Sequence, residues 1–315
     1  MRPRPYILIL SLLFCMGVCY KVKAQRELHL TQYNMHQPYL NPASISSYQD
    51  ISAALLYKKQ WVGFKGAPTF QGVDFNMPIG DTKSSIGLTA FNDGRGIGRT
   101  TDIGINYAYK LQVSDGSYLS FGLTGSLVMM KDNYNKLELY DQQDPRFAGS
   151  GPNMMSPDFR FGSYYFQDRF YIGFATPNIL KNRITGEEGN YSTSTEFDPS
   201  AIHYFLHSGY EFKLAEEWKL QPSTMFKFVS GSPVQVDLNA QVLYKDRYGI
   251  GLGYRNSKIL NAFFNIRFAR NFRLGYAYDY NFSALKTSSS GSHEVMVTYV
   301  RDLKMEDVKM NVPRF

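Results

Sequence analysis

Cysteine is almost missing from this chain. Among 315 residues there are two, Cys15 and Cys19, and both lie in the opening stretch. That stretch reads as an export signal: Arg2 and Arg4 supply positive charge, Ile7 to Cys19 form an apolar core, and Val22-Lys23-Ala24 precede a cleavage point at Gln25. The apolar core is too short to act as a stop-transfer helix. Cleavage removes both cysteines, which excludes a disulfide framework, a thiolate metal site and a cysteine nucleophile. It also removes Arg2, Arg4, Lys21 and Lys23 with no acid, lowering the formal charge from +7 to +3. The basic footprint expected of a nucleic-acid binder therefore goes with the signal. Beyond residue 24 no run of eighteen apolar residues exists. An exported chain of this kind, if integral to a bilayer, must be a closed barrel, because only closure satisfies the backbone groups of strands in lipid.

Aromatics and glycine are abundant, with 24 Tyr, 23 Phe and 26 Gly against 2 Trp. Broad rings favour a pleated surface. The dominant pattern is strict alternation. Ile103, Ile105, Tyr107, Tyr109 and Leu111 alternate with Asp102, Gly104, Asn106, Ala108 and Lys110; Val234 to Tyr244 and Phe272 to Tyr280 behave alike. Runs of about ten residues have the length of tilted transmembrane strands. Strands are expected near 51–61, 69–76, 84–92, 100–111, 118–130, 157–166, 170–176, 202–212, 218–228, 234–244, 248–255, 260–268, 272–280 and 293–302. Every second connection is short, as at Gln167-Asp168-Arg169 and Lys245-Asp246-Arg247, whereas 131–156, 177–201 and 281–292 are long. A soluble β-sandwich has no reason to sort its loops by parity; an outer-membrane barrel does. Tyr109, Tyr244, Tyr278, Tyr280, Phe212 and Phe228 end outward rows, as an interfacial aromatic girdle would.

The expected fold is therefore all-β, a transmembrane antiparallel β-barrel of about 14 strands. Residues 1–24 are the signal peptide and 25–50 a plug-like segment in the lumen or periplasm. Residues 51–302 form the barrel and 303–315 a periplasmic tail. Both termini fall on the short-turn, periplasmic side.

Chemistry-bearing constellations are sparse. His203 and His207 share a face, but four residues of strand separate them by about 13 Å, too far to chelate one metal as on a helix. They read as lumen-facing polar groups, with Asp102, Lys110, Glu211, Asp237 and Arg273. Asp93-Gly94-Arg95-Gly96-Ile97-Gly98 imitates a nucleotide-binding glycine loop, but no helix follows to hold a phosphate; it reads as a flexible outer loop. Asp132, Asn133, Asn135 and Glu138 could hold calcium, yet lack EF-hand spacing. Gly249, Gly251 and Gly253 face inward and leave wall space for a plug or a bound chain, or else mark a bend. No cofactor and no catalytic group is expected, so the chain reads as a non-enzyme.

One stretch carries a family likeness. Gln32-Tyr33-Asn34-Met35 is followed by Asn41-Pro42-Ala43, then Tyr57-Lys58-Lys59-Gln60-Trp61, Phe64 and Gly66-Ala67-Pro68-Thr69. This resembles the N-terminal signature of PorP/SprF-type outer-membrane proteins of the type IX secretion system of Bacteroidota. Asn34 interrupts the first piece and Lys58 stands where arginine is usual. The resemblance implies export and surface anchoring of a large adhesin through its C-terminal domain, with other type IX components as partners, and gliding motility in some members. It singles out Gln32, Tyr33, Asn41, Pro42, Gln60, Trp61, Phe64, Gly66 and Pro68 as plug or partner-binding positions. The rival expectation is a porin or a channel for hydrophobic small molecules, since the lumen-facing charges mix signs.

Overall fold

The computed structural model of the protein describes residues 29–80, 82–140, 144, 147, 151–187 and 190–301. The expected signal peptide and the tail at 303–315 lie outside them. Among the described residues seventeen strands follow in order: β1 (Ser52–Lys59), β2 (Thr69–Pro78), β3 (Ser84–Arg95), β4 (Gly98–Ser114), β5 (Ser117–Asp132), β6 (Asn153–Gln167), β7 (Phe170–Thr176), β8 (Leu180–Glu187), β9 (Asn190–Phe197), β10 (His203–Tyr210), β11 (Phe212–Lys213), β12 (Trp218–Val229), β13 (Gln235–Tyr244), β14 (Tyr248–Arg255), β15 (Ile259–Ala269), β16 (Phe272–Asn281) and β17 (Ser292–Val300). β10 and β11 both pair with β12 and act as one crossing strand. Each crossing strand pairs antiparallel with its neighbour in sequence, β7 pairs with β10, and β17 returns to β1. The result is a closed ring of fourteen crossings, which leaves no sheet edge to face lipid.

Alternation builds the wall. Along β14 the residues read exposed and buried by turns, with Ile250 72%, Leu252 61% and Tyr254 48% accessible. Ile103, Ile105, Tyr107 and Tyr109 of β4 form a similar outward row. An apolar exterior and a polar interior invert the pattern of a water-soluble protein and suit lipid contact. Among the described residues no helix is long and apolar enough to cross a membrane.

The connections divide by end. Residues 79–83, 115–116, 168–169, 214–217, 245–247 and 270–271 close the short-turn end. The other end carries 60–68, 133–152, 177–202 and 282–291. Two features there depart from the sequence reading. The Asp93–Gly98 stretch is no flexible loop: β3 runs to Arg95, β4 starts at Gly98, and Gly96 turns the chain at φ 58°. Only a residue tolerant of the left-handed region fits that tight hairpin. The 177–201 connection contains its own hairpin, β8–β9, outside the ring. Its Ser/Thr-rich strands lack the apolar alternation of the wall, so they carried no strand signal.

Candidate functional site

The interior is occupied by the chain's own residues 29–50. Leu30, Tyr33, Met35, Tyr39, Leu40, Ala43 and Ile45 are buried there, as are Thr31, Gln32, Asn34, His36, Gln37, Asn41, Ser44, Ser46 and Asp50. The segment descends the lumen. His29 approaches Lys227 and Gln235 at the long-loop end, Tyr33 meets Ser223 at mid-height, and Ser46 meets Ser120 near the short-turn end. The described segment thus begins, at His29, at the long-loop end, whereas the sequence reading puts both termini at the short-turn end; the residues before His29 lie outside the described ones. Strand parity fixes where β1 begins, but not where the segment before it runs, and that segment passes back through the whole barrel.

The N-P-A piece has a physical reason. Asn41 Oδ1 accepts the Ala43 N–H at 3.0 Å and so caps the 3-10 turn Pro42–Ser47. Pro42 sits at the first position of that turn, where no N–H is needed. Asn41 Nδ2 donates to Ser163 O at 3.0 Å and to His207 Nε2 at 3.1 Å. His207 Nε2 then acts as acceptor, which places the ring proton on Nδ1. Ala43 rests on Gly122, where a Cβ would stand 2.5 Å from Pro42 C and 2.6 Å from Ala43 Cα. Gly162 lies under Asn41, Gly275 under Gln32 and Met35, and Gly72 under Tyr39. The plug thus presses on wall glycines at 72, 122, 162 and 275. Gly249, Gly251 and Gly253 do face inward, but Asn265, Phe263, Asn239 and Asn261 of the neighbouring strands fill the space above them.

The upper end of the plug is held by charge. Lys58 Nζ, 1% exposed, lies 2.8 Å from Asp279 Oδ2, 3.0 Å from Glu294 Oε2 and 3.1 Å from Thr31 Oγ1. Glu294 in turn accepts the N–H groups of Thr31 at 2.9 Å and Gln32 at 2.8 Å, one on each oxygen. Such charge-assisted bonds are the strong ones. Beside them Asp237 is met by Arg255 at 2.8 Å and Lys227 at 3.5 Å. Lower down, His36 Nε2 lies 2.6 Å from Asp74. Sequence reasoning passed over Lys58, His36, Asp74 and Glu294 as interior partners. Their signal was a charged side chain at an inward position of an apolar strand, or in a segment that belongs to no strand.

The other singled-out residues fall elsewhere. Gln60, Trp61, Phe64, Gly66 and Pro68 form the 60–68 connection at the long-loop end, so the signature is split between lumen and loop. Gln60 N donates to Pro68 O, Val62 N to Gly291 O and Gly96 N to Gly66 O. Trp61, at φ 45°, donates its N–H to Ser292 Oγ. These bonds tie the connection to its two neighbours, and Phe64 remains exposed. On the inner face Asp102 pairs with Arg160, Glu211 with Lys219 and Gln221, and Arg273 donates to Asp246 O. His203 lies inward and half-buried, four residues from His207. Lys110 also points inward and stands over the Tyr118 ring. Asn133 caps a short turn and Glu138 pairs with Lys65 at 2.5 Å. Among the described residues no three His, Cys, Asp or Glu cluster as metal ligands. In the long-loop hairpin, Lys181 bridges Glu196 and Asp198. Hydrogen bonds from Lys181 and Ser200 hold the Asp198 carboxyl down at about 2.

These features define a class: an outer-membrane β-barrel of fourteen crossings, its lumen occupied by an N-terminal segment. Within that class, the chain belongs to the family of type IX secretion system membrane proteins PorP/SprF, which it matches over residues 22–299. Members are outer-membrane components of that secretion system and associate with its other components. None of the curated proteins matches the chain. Solved structures similar to it include the CymD monoaromatic hydrocarbon channel (13% identity, 86% of this chain and 93% of that one, TM-score 0.49). The Pseudomonas putida toluene transporter TodX is also similar (10%, 85% and 94%, 0.48), as is Omp33 of Acinetobacter baumannii (6%, 81% and 98%, 0.46). Such distant likenesses carry no argument about cargo.

Proposed function

We propose that this protein is a non-catalytic component of type IX secretion that helps export a large surface adhesin and anchors it through the adhesin's C-terminal domain, with a part in gliding motility. The observation that carries the reading is the filled lumen. A barrel whose interior is bonded to its own chain on β1, β2, β5, β6, β10, β12, β13, β16 and β17 is suited to holding a partner rather than to conducting solutes. Of the mixed-sign lumen charges, Asp102, Glu211 and Asp237 have basic partners, while Lys110 stands over the Tyr118 ring and Arg273 donates to the Asp246 carbonyl, which weakens the support for the rival channel reading.

In this reading the long-loop end faces outward. It carries the β8–β9 hairpin, whose strands lie outside the ring, and the exposed rings of Phe64, Phe197 and Phe282. Free strand edges beside apolar side chains suit capture of an extended chain by strand addition. The short-turn end, where β17 finishes at Val300, faces the periplasm and the other type IX components.

Deleting the gene and cataloguing surface and culture-medium proteins tests this directly. Loss of one very large adhesin from the surface is the expected result; an unchanged set of surface and released proteins refutes it. In planar bilayers the purified barrel should be nearly silent. A large steady conductance would return the channel reading.

A further inference from the structure

The upper plug contact is made in an unusual currency: main chain. Glu294 accepts two successive backbone N–H groups, of Thr31 and Gln32, on its two oxygens. Asn239 Nδ2 donates to the carbonyl of Thr31 at 3.1 Å. None of these three bonds needs a particular side chain on the occupant. Glu294 is fixed for the task by Lys58, which Asp279 holds from the other side.

The wall beyond has more hydrogen-bonding capacity than the occupant uses. Asn239 Oδ1, Asn261 Oδ1 and Asn265 Oδ1 are buried with no protein partner. Asn265, Gln241 and Phe263 line a cavity of about 10 Å³ beside Thr31 and Gln32, room for about one water. The site lies near the long-loop end of β1, β16 and β17, on the side where the proposed function places the partner.

We infer that the lumen wall at Glu294 and Asn239 is a binding site for polypeptide main chain, and that residues 30–33 occupy it as an exchangeable stand-in for a segment of a partner chain. An incoming chain that offers two consecutive N–H groups and a carbonyl replaces the plug's bonds one for one. Simple withdrawal of the plug would instead leave those three groups to water alone and expose the buried side chains of Leu30 and Tyr33. Exchange is therefore favoured over spontaneous opening. The identification of the occupant as a secreted polypeptide rests on the secretion reading; the main-chain site itself does not.

The test uses the full chain in detergent and, as probe, a fluorescent peptide with the sequence of residues 27–36. In the wild type the tethered segment competes at high local concentration, so the probe binds weakly. Thr31→Pro removes from the resident segment one of the two N–H groups and the hydroxyl that Lys58 and Asp279 engage, and should tighten probe binding about tenfold or more, at least the worth of one hydrogen bond to a charged acceptor. Adding Glu294→Gln should reverse that gain by about tenfold or more. Probe binding unchanged by either substitution overturns the proposal. Should Thr31→Pro not fold, the wild type still decides: at saturating probe, methylating the two probe nitrogens must abolish binding, and equal binding by both peptides overturns it. If the probe obeys these rules while gene deletion leaves surface proteins unchanged, the site stands and the secretion reading falls. If deletion strips the adhesin but the probe ignores Glu294, the site alone falls.

Discussion

Lys58→Met is the sharpest test of how the plug is held. The ammonium is 1% exposed, and its three N–H donors face three acceptors, Asp279 Oδ2, Glu294 Oε2 and Thr31 Oγ1, at 2.8, 3.0 and 3.1 Å. Methionine keeps the stem and comparable volume but leaves two buried carboxylates without their shared cation. Removing one partner of a buried ion pair costs about 3–5 kcal/mol, a large part of the about 5–15 kcal/mol that holds a typical domain. With a urea slope of about 2 kcal/mol per molar, the midpoint should fall by about 2 M. The assay is urea unfolding in lipid vesicles followed by the fluorescence of Trp61 and Trp218, with trypsin sensitivity of the plug as a second readout. Adding Glu294→Gln removes one of the orphaned charges, so the double variant should be more stable than the two single effects predict by about 1 kcal/mol or more. A Lys58→Met loss below about 1 kcal/mol, or strict additivity in the cycle, would show that the network does not hold the plug.

Three further outcomes follow from the geometry. Gly122→Val should displace the plug, because its Cβ meets main-chain atoms of Pro42 and Ala43 that cannot swing aside; protease access to residues 29–50 and a new conductance are expected, whereas Gly251→Ala, which meets atoms of β13 and β15, should leave both at wild-type level. A single cysteine at His29 should react with a membrane-impermeant maleimide on whole cells and one at Arg301 should not, since the two positions lie at opposite ends of the barrel; equal labelling would contradict the threaded path. The Asp198 carboxyl is held at about 2, below its unfolded value of about 3.9. The attachment it gives the β8–β9 hairpin is therefore complete above about pH 4 and lost as pH falls toward 2. Amide exchange in residues 180–197, corrected for intrinsic rate, should quicken across that window in the wild type and not in Asp198→Asn.

The wall was legible because the code of a strand is local. One residue in two must be apolar when one face meets lipid, so alternation located all fourteen crossings, and loop parity separated the ends. Where the rule does not act, the sequence stayed mute. β8 and β9 lie outside the ring, carry no alternation, and read as loop. The Asp93–Gly98 turn contains three glycines, and glycine alone does not tell mobility from the left-handed conformation that a two-residue hairpin needs at Gly96.

The lumen was less legible for a deeper reason. An inward glycine, such as Gly122 or Gly251, presents the same letter whether plug main chain or a neighbouring ring lies above it; only the distant segment that arrives decides which. Lumen charges have the same ambiguity. Asp102 and Asp237 suit an aqueous channel when counted by sign, and a paired polar interior once Arg160 and Arg255 are seen to meet them. The family signature carries both halves of that information without marking them as a unit. Asn41-Pro42-Ala43 shapes the chain that enters, while Lys58 in Tyr57-Lys58-Lys59-Gln60-Trp61 secures its leading end through Glu294, 236 residues further along. Lys58 meets Glu294 only because β17 pairs with β1. Barrel closure and plug docking therefore share one contact, and a substitution that weakens either should be felt in both.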